Sequence, residues 1–187
     1  MKTVRGIIVG LLAIALTLSA AACSGGRVDI DNGGAYDGAL EALFEGLLSG
    51  DGELYYSAFP PRMKEVFEDM RTVPVFHGCD TMSGFLEGVV EEWERCCGKN
   101  VGVSIDVESD VAEPVIDSDD KHLDHYTYQR FVTTENTEEM RKLELELEFE
   151  GDGGEKEESF TVYVVKQNGK WYVHPVFVFS YFLTVSF

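Results

Sequence analysis

The sequence predicts an α+β domain: three N-terminal helices packed on a curved antiparallel sheet of four to six strands. Two observations predict it. Apolar residues recur at helical spacing up to residue 97 and then alternate with polar ones from residue 101 onward. The alternating segments are separated by turn signals, of which Asn168-Gly169 is the strongest.

Each element has its own pattern. Tyr36, Leu40, Leu43, Phe44, Leu47 and Leu48 form one apolar stripe, with Asp37, Glu41 and Glu45 opposite. Asp31 or Asn32 is expected to cap this helix, and Gly50 to end it. A second helical segment opens near Gly52 and carries Leu54, Tyr55, Tyr56 and Phe59. Pro60-Pro61 breaks it, because the residue before a proline avoids helical backbone. Pro61 then suits the first position of a further turn with Met63, Val66, Phe67 and Met70. Pro74 and Gly78 mark a loop. A third helix is expected over 81–97, with Phe85, Leu86, Val89, Val90, Trp93 and Cys97 on one face and Gly98 after it.

Val101, Val103, Ile105 and Val107 begin the alternating half. Tyr126, Tyr128 and Arg130 alternate with Thr127, Gln129 and Phe131. Leu143, Leu145, Leu147 and Phe149 alternate with Glu144, Glu146, Glu148 and Glu150, which predicts one buried and one wet sheet face. Residues Gly151 through Glu158 read as a charged hairpin loop, Phe160 to Val165 as the next strand, and Lys170 to His174 as the strand after the Asn-Gly turn. From Trp171 to Phe187 there is no Asp, Glu, Lys or Arg. The Val, Phe and Tyr content of this tail favours strand over helix, so Val176 to Phe187 is expected to extend the sheet or fold back over the core.

The first 23 residues carry an address. Lys2 and Arg5 precede an apolar run from Ile7 to Leu18, followed by Ser19-Ala20-Ala21-Ala22 and then Cys23. That is a charged segment, an apolar segment and a small-residue cleavage site. A cysteine directly after the site resembles the lipobox of bacterial lipoproteins, although Ala20 stands where that family prefers Leu. The resemblance implies removal of residues 1–22 as a signal peptide and lipid chains on Cys23, which would hold the protein outside the cytoplasm on the cell membrane. The run from Gly6 to Ala22 is short of the ~20 residues a spanning helix needs. Residues 23–34, with Ser24-Gly25-Gly26 and Asn32-Gly33-Gly34, read as a flexible tether, and 35–187 as the domain.

The whole chain has 15 Lys+Arg against 34 Asp+Glu. Without Lys2 and Arg5 the remainder carries −21, which disfavours nucleic acid as a partner. The cysteines are Cys23, Cys79, Cys96 and Cys97. Cys79 and the Cys96-Cys97 pair lie at opposite ends of the third helix, ~22 Å apart, whereas bridged Cα atoms lie within ~7 Å. Free thiols are therefore expected.

The helices-then-meander order resembles the NTF2-like (cystatin-like) cone. Asn168-Gly169-Lys170-Trp171-Tyr172-Val173 looks like the hairpin G-[KR]-W-[YKR]-[VIL] of its secreted members, and Asp51 to Phe59 looks like their second helix. The resemblance implies a pocket between the sheet and the helices, for which Tyr55, Tyr56, Phe59, Trp93, Phe131, Tyr163 and Trp171 are the lining candidates. It names no catalytic residue.

Chemistry-bearing motifs are sparse. His122 and His125 lie beside Asp117, Asp119 and Asp120 but lack a rigid frame, and Asp29-x-Asp31-x-Gly33-Gly34 has Leu40 where a calcium loop needs Glu. No metal or cofactor is expected, and Asp106 and Arg130 are candidates for a polar group facing the pocket. The expected function is a membrane-tethered, non-enzymatic binding or accessory module of the cell envelope. Its partner would be an envelope protein or an apolar small molecule. The alternative is a pocket enzyme, isomerase- or dehydratase-like, on the same fold.

Overall fold

A computed structural model describes residues 27–61, 63–65, 82–115 and 132–175. Within them the order is β1 (Val28–Asp31), α1 (Asp37–Ser49), α2 (Gly52–Ser57), α3 (Met82–Cys97), β2 (Gly102–Glu113), β3 (Glu139–Gly151), β4 (Gly154–Gln167) and β5 (Lys170–Val173). The fold is α+β, a curled five-strand sheet in the order β1-β2-β3-β4-β5 with the helices on one face.

Two expectations about the sheet need correction. It is mixed rather than antiparallel: β1 runs parallel to β2, from Val28 opposite Val103 to Asp31 opposite Asp106. The helical layer is the crossover that brings the chain back in the same direction, which a short hairpin cannot do. The stretch 23–34 is also not all tether. Val28 and Ile30 alternate with Asp29 and Asp31, so one side of β1 packs on the core and the other meets water.

Helix α1 buries Leu40, Leu43, Phe44 and Leu47 almost completely, each worth about 1.5–3 kcal/mol relative to exposure. Neither Asp31 nor Asn32 caps it. Tyr36 holds the cap position, and Asp37 Oδ1 accepts from Gly34 N at 2.6 Å. Gly50 ends the helix at φ 67°, as its lack of a side chain allows. Asp51 caps α2 by accepting from Glu53 N and Leu54 N at 2.9 and 3.1 Å. The α1–α2 approach leaves no room at Gly46, where a Cβ would lie 2.6 Å from Tyr55 Cα.

Helix α3 presents Phe85, Leu86, Val89, Trp93 and Cys97 to the sheet. Gly88 sits in its exposed interior with nothing within 4 Å of an added Cβ. Gly88→Ala is expected to stabilise the protein by about 0.5–1 kcal/mol by removing backbone entropy from the unfolded chain. A higher urea midpoint with unchanged slope is the readout.

The β3–β4 connection is tighter than a loop over 151–158. Asp152-Gly153 alone turns the chain, and β4 starts at Gly154 with Glu150 opposite Glu155. The acidic residues of that stretch stay on the ladder because the turn is anchored elsewhere. Gly153 N donates to Cys97 O at 2.8 Å and Asp152 N to Lys99 O at 2.9 Å, so the turn satisfies carbonyls at the end of α3. The Asn168-Gly169 turn forms as expected, with both residues at positive φ, 52° and 75°.

The main core gathers the helical stripes with Val103, Ile105, Leu143, Leu145, Leu147, Phe149, Val162, Val164 and Val173. A smaller cluster of Val132, Met140 and Val165, with Val115, Tyr163 and Tyr172, lies on the opposite sheet face. Cys97 is buried in the main core, whereas Cys96 is exposed; both are free thiols. Cys79, the expected strand 126–131, the His122–His125 loop and the tail 176–187 lie outside the described residues.

Candidate functional site

Of the seven candidate pocket residues, Tyr55, Phe59 and Trp93 belong to the main core and Tyr56 and Trp171 pack against it, whereas Tyr163 does not join them. Tyr55, Phe59 and Trp93 are 1%, 2% and 3% exposed and are core. Tyr55 and Phe59 meet edge to face with ring centroids 5.1 Å apart, and Trp93 packs on Phe149 at 4.6 Å. These rings pack in the core between the helices and the sheet. Tyr56 is half-buried, with the Lys64 ammonium 5.7 Å over its ring. Tyr163 belongs to the opposite sheet face, where His174 meets its ring edge. Burial pulls the His174 imidazole down to about 4. Phe131 lies outside the described residues. Trp171 alone remains at a polar opening, half-buried on the inner face of β5.

Trp171 marks the polar end of the inner face. Along β3 the inward positions continue from Leu143 to Arg141 and Glu139, since alternate residues share a face. Arg141 lies opposite Val164, and Glu139 opposite Lys166, which in turn faces Trp171. A bulge in β2 adds one more group. The register shifts between Val107 and Ser109, so the inward set changes from Val103, Ile105 and Val107 to Asp110 and Ala112.

These residues form one connected network. Tyr36 Oη donates to Asp110 Oδ2 at 3.2 Å. Arg141 Nε donates to Asp110 Oδ1, and its Nη1 to Glu139 Oε1 at 2.8 Å. The Tyr36 ring stands at 85° to Trp171 with centroids 6.1 Å apart. Arg141 and Asp110 side chains are 26% and 32% exposed, so the network borders water while Tyr36 itself is buried. Burial, with the Asp110 carboxylate beside it, pushes the Tyr36 hydroxyl up to about 12. The hydrogen bonds to Asp110 and Glu139 hold the Arg141 guanidinium above its ordinary range. Asp110 is engaged by two donors, which fix the orientation of its carboxylate.

Tyr36→Phe tests this reading. Loss of the hydroxyl bond is expected to cost about 1 kcal/mol at neutral pH. Native Tyr36 keeps its proton to about 12, whereas the unfolded side chain loses it near 10.0. Its contribution is therefore complete below the lower value and disappears as pH rises toward the upper one. The stability difference between wild type and Tyr36→Phe should shrink across that window, read by urea unfolding at each pH.

The outer sheet face has a different character. Asp31 lies opposite Asp106, Asp106 opposite Glu146, Glu148 opposite Glu157, and Glu150 opposite Glu155. Like charges placed directly opposite destabilise a sheet, and here all but the half-buried Asp106 are exposed to water and salt, which screen them. Asp106 is on this face, where its Oδ1 accepts from Asn32 Nδ2 at 2.6 Å, and so does not line the inner one. Arg130 lies outside the described residues. Among the described residues no group of His, Cys, Asp and Glu is arranged to hold a metal ion, and no helix is long and apolar enough to cross a membrane.

Sequence reasoning missed Asp110, Arg141 and Tyr36 as a set. The parity of Leu143, Leu145 and Leu147 already places Arg141 and Glu139 inward. The bulge that turns Asp110 has no comparable signal. Comparison with family models, curated proteins and solved structures finds no match to this chain.

Proposed function

We propose that this chain is a membrane-tethered, extracytoplasmic lipoprotein whose NTF2-like domain acts as a binding module of the cell envelope. The observation that carries this reading is the order of Lys2 and Arg5, the apolar run, Ala20-Ala21-Ala22 and Cys23. Two or more acyl chains on Cys23 would give stable anchoring, since one binds a membrane only marginally. The NTF2-like assignment draws support from the helices on one face of a curled sheet and from the Asn168-Gly169-Lys170-Trp171 turn, whose Trp171 packs on the core.

The partner meets the Trp171–Arg141 end of the inner face. An indole joined through Tyr36 to the Asp110–Arg141–Glu139 network suits a protein segment that offers both an apolar side chain and hydrogen-bonding groups. Ala112 is exposed and shares the inward side of β2 with Asp110, so it can carry a photocrosslinking side chain. Crosslinking in the native envelope should give a discrete adduct from position 112 and none from Glu157 on the outer face. Equal adducts from both positions, or none from either, would count against a binding role for this end. Cys23→Ser should release the protein from membranes or leave it uncleaved. A mature-size variant that still partitions with membranes would sink the tether.

A further inference from the structure

We infer that the domain stands on the bilayer with its strands upright, so that the Tyr36–Asp110–Arg141 network faces away from the membrane. This rests on the acylation of Cys23 proposed above. Three residues, Ser24, Gly25 and Gly26, separate Cys23 from Arg27. An extended chain of that length spans at most about 14 Å between the two Cα atoms. Arg27 is therefore held near the lipid surface whatever path those residues take.

Arg27 sits at one end of the sheet. Its carbonyl accepts from Val103 N at 2.8 Å. The same end holds the start of β2, the end of α3 and the Asp152-Gly153 turn that bonds to Cys97 and Lys99. From there β2 leads away. Asp110 is eight residues beyond Gly102, about 26 Å along the strand. Glu139, Gln167 and the Asn168-Gly169 turn belong to that far end. Along β4, Gln167 is twelve residues beyond Glu155, or about 40 Å.

Charge opposes the flat alternative. Lying on the outer face would press Asp29, Asp31, Asp106, Glu146, Glu148 and Glu157 against the headgroups, which anionic lipids repel. At the tether end Glu150, Asp152 and Glu155 stand with cations that are ion-paired, in Arg27–Asp29, Lys99–Glu94 and Arg95–Glu92. A short leash at one end and a repelled acidic side together leave the upright pose. In it, the polar inner end is presented to partners reaching the membrane from outside.

The experiment places one fluorophore at either end of the full acylated chain. Glu155→Cys lies at the tether end and Glu135→Cys at the far end, and both positions are exposed. Each is labelled in a Cys79→Ser, Cys96→Ser background and reconstituted into vesicles of phosphatidylcholine and phosphatidylglycerol carrying a headgroup nitroxide. Quenching should be several-fold stronger at position 155 than at position 135. Equal quenching, or stronger quenching at 135, in protein that incorporates a labelled fatty acid at Cys23 overturns the orientation alone. Failure to incorporate that fatty acid overturns the tether and the orientation together.

Discussion

Gly98→Ala is expected to lower stability by about 2–5 kcal/mol, from left-handed backbone strain of about 1–2 kcal/mol and overpacking of about 1–3 kcal/mol. Gly98 follows α3 at φ 87°, and a Cβ there would come within 2.8 Å of Gly153 Cα. Neither side can yield cheaply. The obstructing atoms are backbone, and that backbone donates to Cys97 O and Lys99 O. Relief would mean lifting the β3–β4 turn off the end of α3, which would strip both carbonyls of their donors. A fall in melting temperature of about 2–4 °C per kcal/mol is the scale for a chain of this size. A change smaller than that of an exposed-site control would show that the turn does not dock on α3 as described. Gly88→Ala, ten residues earlier and inside α3, should move stability the other way.

Phe149→Ala is expected to cost about 3–5 kcal/mol, the range for truncating a fully buried aromatic ring. Phe149 is 0% exposed and lies on β3 between the start of β2 and β4, with Val103 opposite it. Its ring is the platform for Trp93, so its removal undercuts both the sheet and α3. Phe149→Leu should recover more than half of the loss, because most of the volume returns. The measurement is urea unfolding followed by both tryptophan fluorescence and far-ultraviolet circular dichroism. Coincident transitions would confirm that helix and sheet are lost together. Separated transitions would mean that α3 is not part of the same cooperative core.

What could be read from the sequence depended on how far each residue's environment was set by its near neighbours. The α1 stripe, the α3 stripe and the β3 alternation were legible because period alone decides them. The Gly50 stop and the Asn168-Gly169 turn were legible because positive φ selects those residue types. Strand β1 was hidden by its length of four residues and by a partner, β2, more than seventy residues away. The start of β4 was hidden because Glu155, Lys156, Glu157 and Glu158 look like loop composition. Contact with the end of α3, which no local window contains, fixes that turn. Asp110 depended on a bulge that reverses the inward set in the middle of β2. Aromatic residues alone do not separate core from pocket lining in the sequence. Rings at core-facing positions fill volume, and Tyr55, Phe59 and Trp93 do so, whereas Trp171 meets Tyr36, whose hydroxyl binds Asp110.

Address, tether length and orientation all follow from acylation of Cys23. Intact-mass analysis of the protein extracted from its own membranes tests it directly. The mass should match a chain that begins at Cys23 and carries fatty-acyl groups on that residue. A mass that matches an unmodified Cys23, or a chain still carrying residues 1–22, would contradict the account.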